Sequence, residues 1–126
     1  MKNYYKKSLF LSGSIFVLVA LSPSVFAHAI LVKSLPEQNA AITASPKQID
    51  VWFNDKVGSE YKALAVIDEN GNRVDNKDVT QDILDGAHLY CTVPALPAGS
   101  YTVRYRVVSF DTHIITGKYQ FSIKTP

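Results

Sequence analysis

The chain has 126 residues, with thirteen basic and eleven acidic side chains, a formal charge of +2 and one cysteine. This length suits one small domain, and a single cysteine excludes an internal disulfide framework. Three of the lysines lie within the first seven residues. The rest of the chain is therefore close to neutral, and its charge indicates no nucleic-acid partner.

Residues 1–27 have the form of a secretory signal peptide. The lysines precede the apolar-rich stretch LFLSGSIFVLVAL, which is shorter than the ~20 residues that a membrane-spanning helix needs. We expect cleavage after Ala27, which leaves a mature domain of residues 28–126 that begins with His28 and carries a net charge of −1. Two alternatives are an uncleaved membrane anchor and a cut after Ala29, which would remove His28.

Alternation of apolar and polar residues predicts short strands along the mature chain. In chain order they are HAILVKS, QIDVWFN, YKALAVID, a short RV strand, HLYCTV, SYTVRYRVVS and KYQFSIK. The segment LPEQNAAITASP is predicted to be a loop, and ENGN a hairpin turn centred on Asn70-Gly71. Seven strands without a sustained helical period predict an all-β fold, a seven-stranded antiparallel Greek-key, immunoglobulin-like β-sandwich.

The same alternation assigns residues to the two faces of each strand. Cys91 falls on the apolar face of its strand, so we expect a buried and inert thiol. Trp52 falls on the face opposite Val51 and Phe53, and the sequence leaves open whether it lies at the surface or under a loop. The long strand is predicted to bury one face, which consists of Tyr101, Val103, Tyr105 and Val107.

Asp111 and His113 in SFDTHIITG are separated by one residue, so their side chains leave the same side of an extended backbone. A carboxylate and an imidazole at this spacing can reach one cation, although the three-residue pattern is also common in surface ion pairs. If His28 is the first residue, its α-amine and ring Nδ1 can chelate one metal ion. Nitrogen and oxygen donors of this kind favour Cu(II), and the absence of methionine after Met1 disfavours Cu(I).

Other polar residues have weaker patterns. His88 follows a turn and is expected to be a solvated histidine at a strand edge. Asp55 ends a strand and is either a further oxygen donor or a turn residue. The sequence contains no G-x-S-x-G, HExxH, CxxC or phosphate-binding glycine loop, so these enzyme templates do not apply.

Three separated motifs resemble the CopC family of periplasmic copper-binding proteins. They are HAILVKSLPEQNA, FND and LPAGSYTVRYRVVSFDTHIITGKYQF, and the resemblance spans residues 28–124. The family pattern has a proline where this chain has Ile114, and a glutamate where it has Asp55. The resemblance implies a seven-stranded Greek-key sandwich and cleavage after Ala27.

The resemblance also implies a site and a function. The family's metal ligands fall on His28, Asp111 and His113, and an acidic residue near copper in some members falls on Asp55. Without the methionine-rich Cu(I) loop of some members, the chain resembles those that bind only Cu(II). It is then expected to be a periplasmic copper carrier or buffer, not an enzyme, without stable membrane association after cleavage and with an inner-membrane CopD-type partner. The alternatives are a small copper monooxygenase with a histidine chelate and a metal-free immunoglobulin-like interaction module.

Overall fold

A computed structural model describes residues 30–126. The regular structure in this range consists of eight β-strands. They are β1 (Leu31–Leu35), β2 (Ala41–Ile42), β3 (Gln48–Phe53), β4 (Val57–Asp68), β5 (Thr80–Gln81), β6 (His88–Thr92), β7 (Gly99–Ser109) and β8 (Ile114–Ile123). This range contains no helix that is long and apolar enough to cross a membrane.

The strands form two four-stranded sheets, ordered β1-β3-β6-β5 and β2-β8-β7-β4. With β1, β3, β6 and β5 in one sheet and β8, β7 and β4 in the other, the strand order is that of the immunoglobulin-like Greek key. The predicted fold class, an antiparallel β-sandwich, is confirmed. Two details differ from the prediction: the described residues include the two-residue strands β2 and β5, and β2 pairs with β8 in parallel.

The core lies between the sheets and comes from the alternating positions of the longer strands. The predicted inward faces of β3 and β7 are confirmed, except that Tyr105 is only partly buried. Cys91 is fully buried, as predicted. Burial raises the pKa of the Cys91 thiol to about 12, so the thiol is protonated and inert at neutral pH. The buried apolar residues are Ile49, Val51, Phe53, Val57, Leu64, Val66, Leu89, Cys91, Val93, Leu96, Tyr101, Val103, Val107, Tyr119, Phe121 and Ile123.

The turns follow the local chemistry of the sequence. At the predicted ENGN hairpin, Gly71 has a φ of 84° and the Asp68 carboxylate accepts hydrogen bonds from the backbone N–H of Asn70 and Asn72. The predicted RV strand is reduced to one bridge between Ile67 and Arg73. Before β7, the Tyr101 hydroxyl donates to the Pro97 carbonyl at 2.6 Å, a corner typical of such sandwiches.

Three segments meet at one end of the sandwich, which we call the Ile30 end. The chain enters there at Ile30, since Leu31 pairs with Phe53 at the end of β3. Residues 54–56 then cross to the second sheet, where Val57 pairs with Ser109. Ser109 is the last residue of β7, so the loop of residues 110–113 between β7 and β8 lies at the same end.

Candidate metal centre

The β7–β8 connection is a tight hairpin loop that holds Asp111 and His113 on either side of Thr112. The Ser109 N–H donates to the His113 carbonyl at 2.9 Å, and the Thr112 N–H donates to the Ser109 carbonyl at 3.0 Å. Thr112 has a φ of 68°, in the left-handed region that residues with a branched β-carbon rarely adopt. The backbone therefore presents Asp111 and His113 from one fixed turn.

The structure brings Asp111 and His113 together, as their spacing predicts. His113 Nδ1 lies 2.9 Å from Asp111 Oδ2, and the two side chains are 55% and 40% exposed, which gives an ion access from solvent. Two donors bound ~2.0 Å from one ion at a right angle are ~2.8 Å apart, so this separation suits two neighbouring ligands of a tetragonal metal. The separation therefore fits a cation that both groups bind.

Ser109, which the sequence analysis did not assign to the site, holds the other carboxylate oxygen. Its hydroxyl donates to Asp111 Oδ1 from a side chain that is almost fully buried. The hydrogen bonds from Ser109 and then from His113 lower the pKa of Asp111 to about 2. Asp111 is therefore anionic at any physiological pH. Ser109 and Asp111 are separated by one residue, the same spacing as Asp111 and His113, and this spacing is the signal that sequence reasoning missed.

Asp55 lies at the Ile30 end but does not contact the Asp111–His113 pair. Its Oδ1 accepts a hydrogen bond from the backbone N–H of Lys56 at 2.8 Å, so in this structure it acts as a turn residue. Residues 30–126 contain no cluster of three or more histidine, cysteine, aspartate or glutamate side chains that could hold a metal ion.

His28 lies outside the described residues, but the point at which its segment meets the fold is fixed. The Ile30 N–H donates to Asn54 Oδ1 at 2.8 Å, and the Asn54 N–H donates to the Ile30 carbonyl at 2.9 Å. His28 is two residues before Ile30, and two residues of extended chain span at most ~7 Å. Ile30, the first described residue, therefore lies beside Asn54, at the end of the sandwich that carries Asp111 and His113.

The prediction that His88 is a solvated strand-edge residue is wrong. Strand β6 lies between β3 and β5, and the side chain of His88 is only 14% exposed. Its Nε2 is 2.7 Å from Asp50 Oδ1, its Nδ1 is 3.4 Å from Asp82 Oδ2, and its ring stacks on Trp52 with centroids 4.4 Å apart. The two ring nitrogens of His88 face different carboxylates. These contacts hold a largely buried imidazole in place and do not direct the donors toward one ion position.

Comparisons with known proteins agree on one family. The CopC domain family model matches residues 31–124. Copper transport protein CutJ of Bacillus subtilis is 37% identical over 109 residues, which cover 84% of this chain but only 20% of CutJ. Copper resistance protein C of Escherichia coli is 31% identical over 121 residues, covering 90% of this chain and 94% of that protein.

A solved structure supports the same assignment. The crystal structure of CopC from Methylosinus trichosporium OB3b matches with a TM-score of 0.73 and 32% sequence identity. The match covers 78% of this chain and 95% of that one. The residues matched by the family model, 31–124, include nearly all of the sandwich and the hairpin loop between β7 and β8.

Proposed function

The chain belongs to the CopC domain family, and from this premise we propose that it is a periplasmic Cu(II)-binding protein that carries or buffers copper. Copper handling is what the names of the CutJ and copper resistance relatives share. The observation that carries the proposal is the distance of 2.9 Å between His113 Nδ1 and Asp111 Oδ2 at the Ile30 end of the sandwich. Copper is cargo in this account, and no chemical conversion is assigned to the protein.

The proposed ligands are His28, Asp111 and His113, with Asp55 as a further oxygen donor. His113 and Asp111 supply an imidazole and an anionic carboxylate from one turn, and His28 supplies an imidazole and, after cleavage, an α-amine. The Ile30–Asn54 hydrogen bonds support this set because they hold the incoming chain beside Asp55.

The donor set favours Cu(II) over Cu(I). Nitrogen and oxygen donors suit Cu(II), whereas Cu(I) prefers thiolate and thioether sulfur. The one methionine is Met1, inside the proposed signal peptide, and the one cysteine is buried in the core with its thiol protonated. The mature chain therefore offers copper no accessible sulfur.

Export and processing are part of the proposal. In the precursor the nitrogen of His28 is an amide, which does not act as the amine half of a chelate. Cleavage after Ala27 creates an α-amine with an ordinary pKa of about 7.7–8.0. A metal ion can therefore compete with the proton for this amine near neutral pH. The signal peptidase thus completes the metal site and releases residues 28–126 into the periplasm.

The carrier role implies exchange of copper with a partner, for which we propose an inner-membrane protein of the CopD type. An exposed site with donors from two separate chain segments suits exchange, because incoming ligands can replace His28 and the loop donors one at a time. The chain spans about a fifth of CutJ, so the remaining part of that relative says nothing directly about this chain.

Copper titration of the protein purified from the periplasm tests the proposal. We expect an intact mass that corresponds to residues 28–126, one Cu(II) per chain, and a visible d–d absorption band. His113→Ala should lower Cu(II) affinity at least a hundredfold, while His88→Ala, which changes the histidine on the other sheet, should leave it within threefold. Equal loss in both variants, or no Cu(II) binding by the wild type, would overturn the proposal.

A further inference from the structure

The outer face of the sheet β4-β7-β8 carries a pattern that the copper site does not use. The register places Ala65, Arg104 and Lys118 in one cross-strand row. The next row, toward the Ile30 end, holds Ala63, Arg106 and Thr116. Small residues thus flank basic ones on an open sheet surface, and a shallow depression of about 410 Å³ lies over these rows.

The basic residues of this face lack acidic partners within the described residues. Arg104 and Lys118 are directly opposite each other on β7 and β8, an arrangement that costs free energy because like charges on paired positions repel. No carboxylate of residues 30–126 forms a salt bridge with Arg104, Arg106 or Lys118. The mature chain has a net charge of −1, so this concentration of positive charge is a local feature of the surface.

Apolar residues border the basic rows and extend to the loop of residues 110–113 between β7 and β8. Tyr61 and Ile114 are 72% and 59% exposed, and Val108 pairs with Ile114 across β7 and β8. They line a depression of about 790 Å³ whose other lining residues are Glu60, Lys62, Ala63, Arg106 and Thr112, so two basic side chains and one carboxylate border it. Thr112 separates Asp111 from His113, so the depression adjoins the turn that presents the proposed ligands.

We propose that this surface docks a segment of a partner protein that presents an apolar side chain flanked by carboxylates. We define it as the basic–apolar face, which consists of Tyr61, Arg104, Arg106, Val108, Ile114 and Lys118. The apolar side chain fills the depression at Tyr61 and Ile114, and the carboxylates pair with the arginines. We identify this partner with the protein that exchanges copper with the chain, and this identification rests on the proposed function.

The shape and composition of the face favour a protein over a lipid surface. A protruding segment fills a depression of about 790 Å³, whereas a planar bilayer does not. Tyrosine and arginine are also the residues that dominate binding energy in protein interfaces. In CutJ, the region that matches this chain is joined to a much longer polypeptide, so a CopC domain there has further protein as its neighbour.

A defined peptide tests the face. Copper-free, ¹⁵N-labelled mature protein is titrated with Ac-Asp-Glu-Ile-Leu-Glu-Asp-NH₂ and, separately, with the same apolar pair flanked by lysines. The acidic peptide should give saturable shifts in the amide resonances of β4, β7 and β8 that weaken with added salt. The double variant Arg104→Glu/Arg106→Glu should bind it at least tenfold more weakly. The matched variant Lys47→Glu/Lys124→Glu, changed at exposed lysines outside this face, should bind like the wild type.

The other outcomes each overturn the proposal. It fails if neither peptide binds, or if both bind equally. It also fails if the arginines are needed for sedimentation with phosphatidylglycerol vesicles while the acidic peptide does not bind. A concentration-dependent dimer that is lost in the double arginine variant would assign the face to a second copy, whose Asp82–Asp85 loop exposes Ile83 and Leu84 between two aspartates.

Copper titration of the same proteins separates this inference from the proposed function. The double arginine variant should bind one Cu(II) with wild-type affinity, because the face supplies no ligand. If the wild type binds copper but not the peptide, only the docking inference is wrong. If it binds the peptide but not copper, the proposed function is wrong and the face remains a docking surface for acidic segments.

Discussion

Ile30 and Asn54 exchange two hydrogen bonds, from the Ile30 N–H to Asn54 Oδ1 at 2.8 Å and from the Asn54 N–H to the Ile30 carbonyl at 2.9 Å. A side-chain amide thus continues the β1–β3 pairing beyond the last strand residue. The contact fixes the position of Ile30, the first described residue, at one end of the sandwich. The β7–β8 loop with Asp111 and His113 lies at the same end.

Asn54→Ala should weaken Cu(II) binding about tenfold with little effect on the free energy of unfolding. Without the Asn54 amide, the chain before Leu31 loses one of its two anchors, and ordering one more residue on binding costs about 1–2 kcal/mol. Parallel copper titrations and urea unfolding measure both effects. Asn76→Ala, which removes the side-chain bond from Asn76 to Thr92 at 2.8 Å, is the matched control and should leave the affinity unchanged. An equal loss in both variants would argue against the anchor.

Ser109→Ala should lower Cu(II) affinity roughly 10- to 100-fold, the usual effect of removing a partner that orients a ligand. The Ser109 hydroxyl holds Asp111 Oδ1, and its loss frees the carboxylate to rotate away from His113. Ser100→Ala changes an exposed serine at the opposite end of β7 and serves as the control. Wild-type affinity in Ser109→Ala would mean that Asp111 needs no orientation, or that it is not a ligand.

Asp75→Asn should destabilise the fold by about 2 kcal/mol at pH 7. The Asp75 side chain is fully buried and accepts hydrogen bonds from Arg73 Nε at 2.8 Å and Nη2 at 3.0 Å, and from the Val66 N–H at 3.0 Å. Burial alone would raise the pKa of Asp75, but these bonds and one from the Lys77 N–H outweigh it, so the pKa lies below its ordinary value.

The destabilisation in Asp75→Asn should depend on pH in a defined direction. A folded-state pKa below the unfolded value of about 3.9 means that the carboxylate stabilises the fold fully above that value. This contribution is lost as pH falls through the folded pKa. Urea unfolding at pH 7 and below pH 4 should therefore show a difference between wild type and variant that shrinks in acid. Glu37→Gln, an exposed carboxylate, should show no difference at either pH.

Gly117→Ala should destabilise the protein by about 1–3 kcal/mol, although alanine is an ordinary strand residue. Gly117 pairs with Tyr105 across β7 and β8, and a Cβ at this position would overlap the hydroxyl and ring of that tyrosine. Gly58→Ala provides the comparison, because a Cβ there meets only ordinary contacts with Val108. Thermal unfolding of both variants measures the effect. A Gly117→Ala protein as stable as Gly58→Ala would show that Tyr105 moves aside at no cost.

Strand periodicity allowed most of the fold to be predicted. The buried faces of β3, β6 and β7 follow the alternation of apolar residues, because each of these strands is long enough to show it. Strands β2 and β5 have two residues each and carry no such signal. Strand β4 begins at Val57, earlier than the predicted YKALAVID. Its first residues were missed because an irregular register between Val57 and Lys62 interrupts the alternation.

Local spacing also predicted the contact between Asp111 and His113, whereas contacts across strands were not predictable. His88 and Asp50 are 38 residues apart, and only the β3–β6 register brings them together. The same holds for the Asn54–Ile30 bonds and for the basic rows on the β4-β7-β8 sheet. Such sites depend on which residues pair across the strands, and a single sequence read alone does not contain that information.

The most direct test of the proposed N-terminal chelate compares Cu(II) binding by the mature protein, beginning at His28, with that of the same protein acetylated on the His28 α-amine. The proposed chelate needs a free α-amine on His28, which acetylation converts to an amide without adding a new amine, while the imidazole and the rest of the chain stay unchanged. We expect at least a hundredfold weaker binding and a shifted d–d band in the acetylated form. Equal affinity and an unchanged spectrum would contradict the N-terminal chelate.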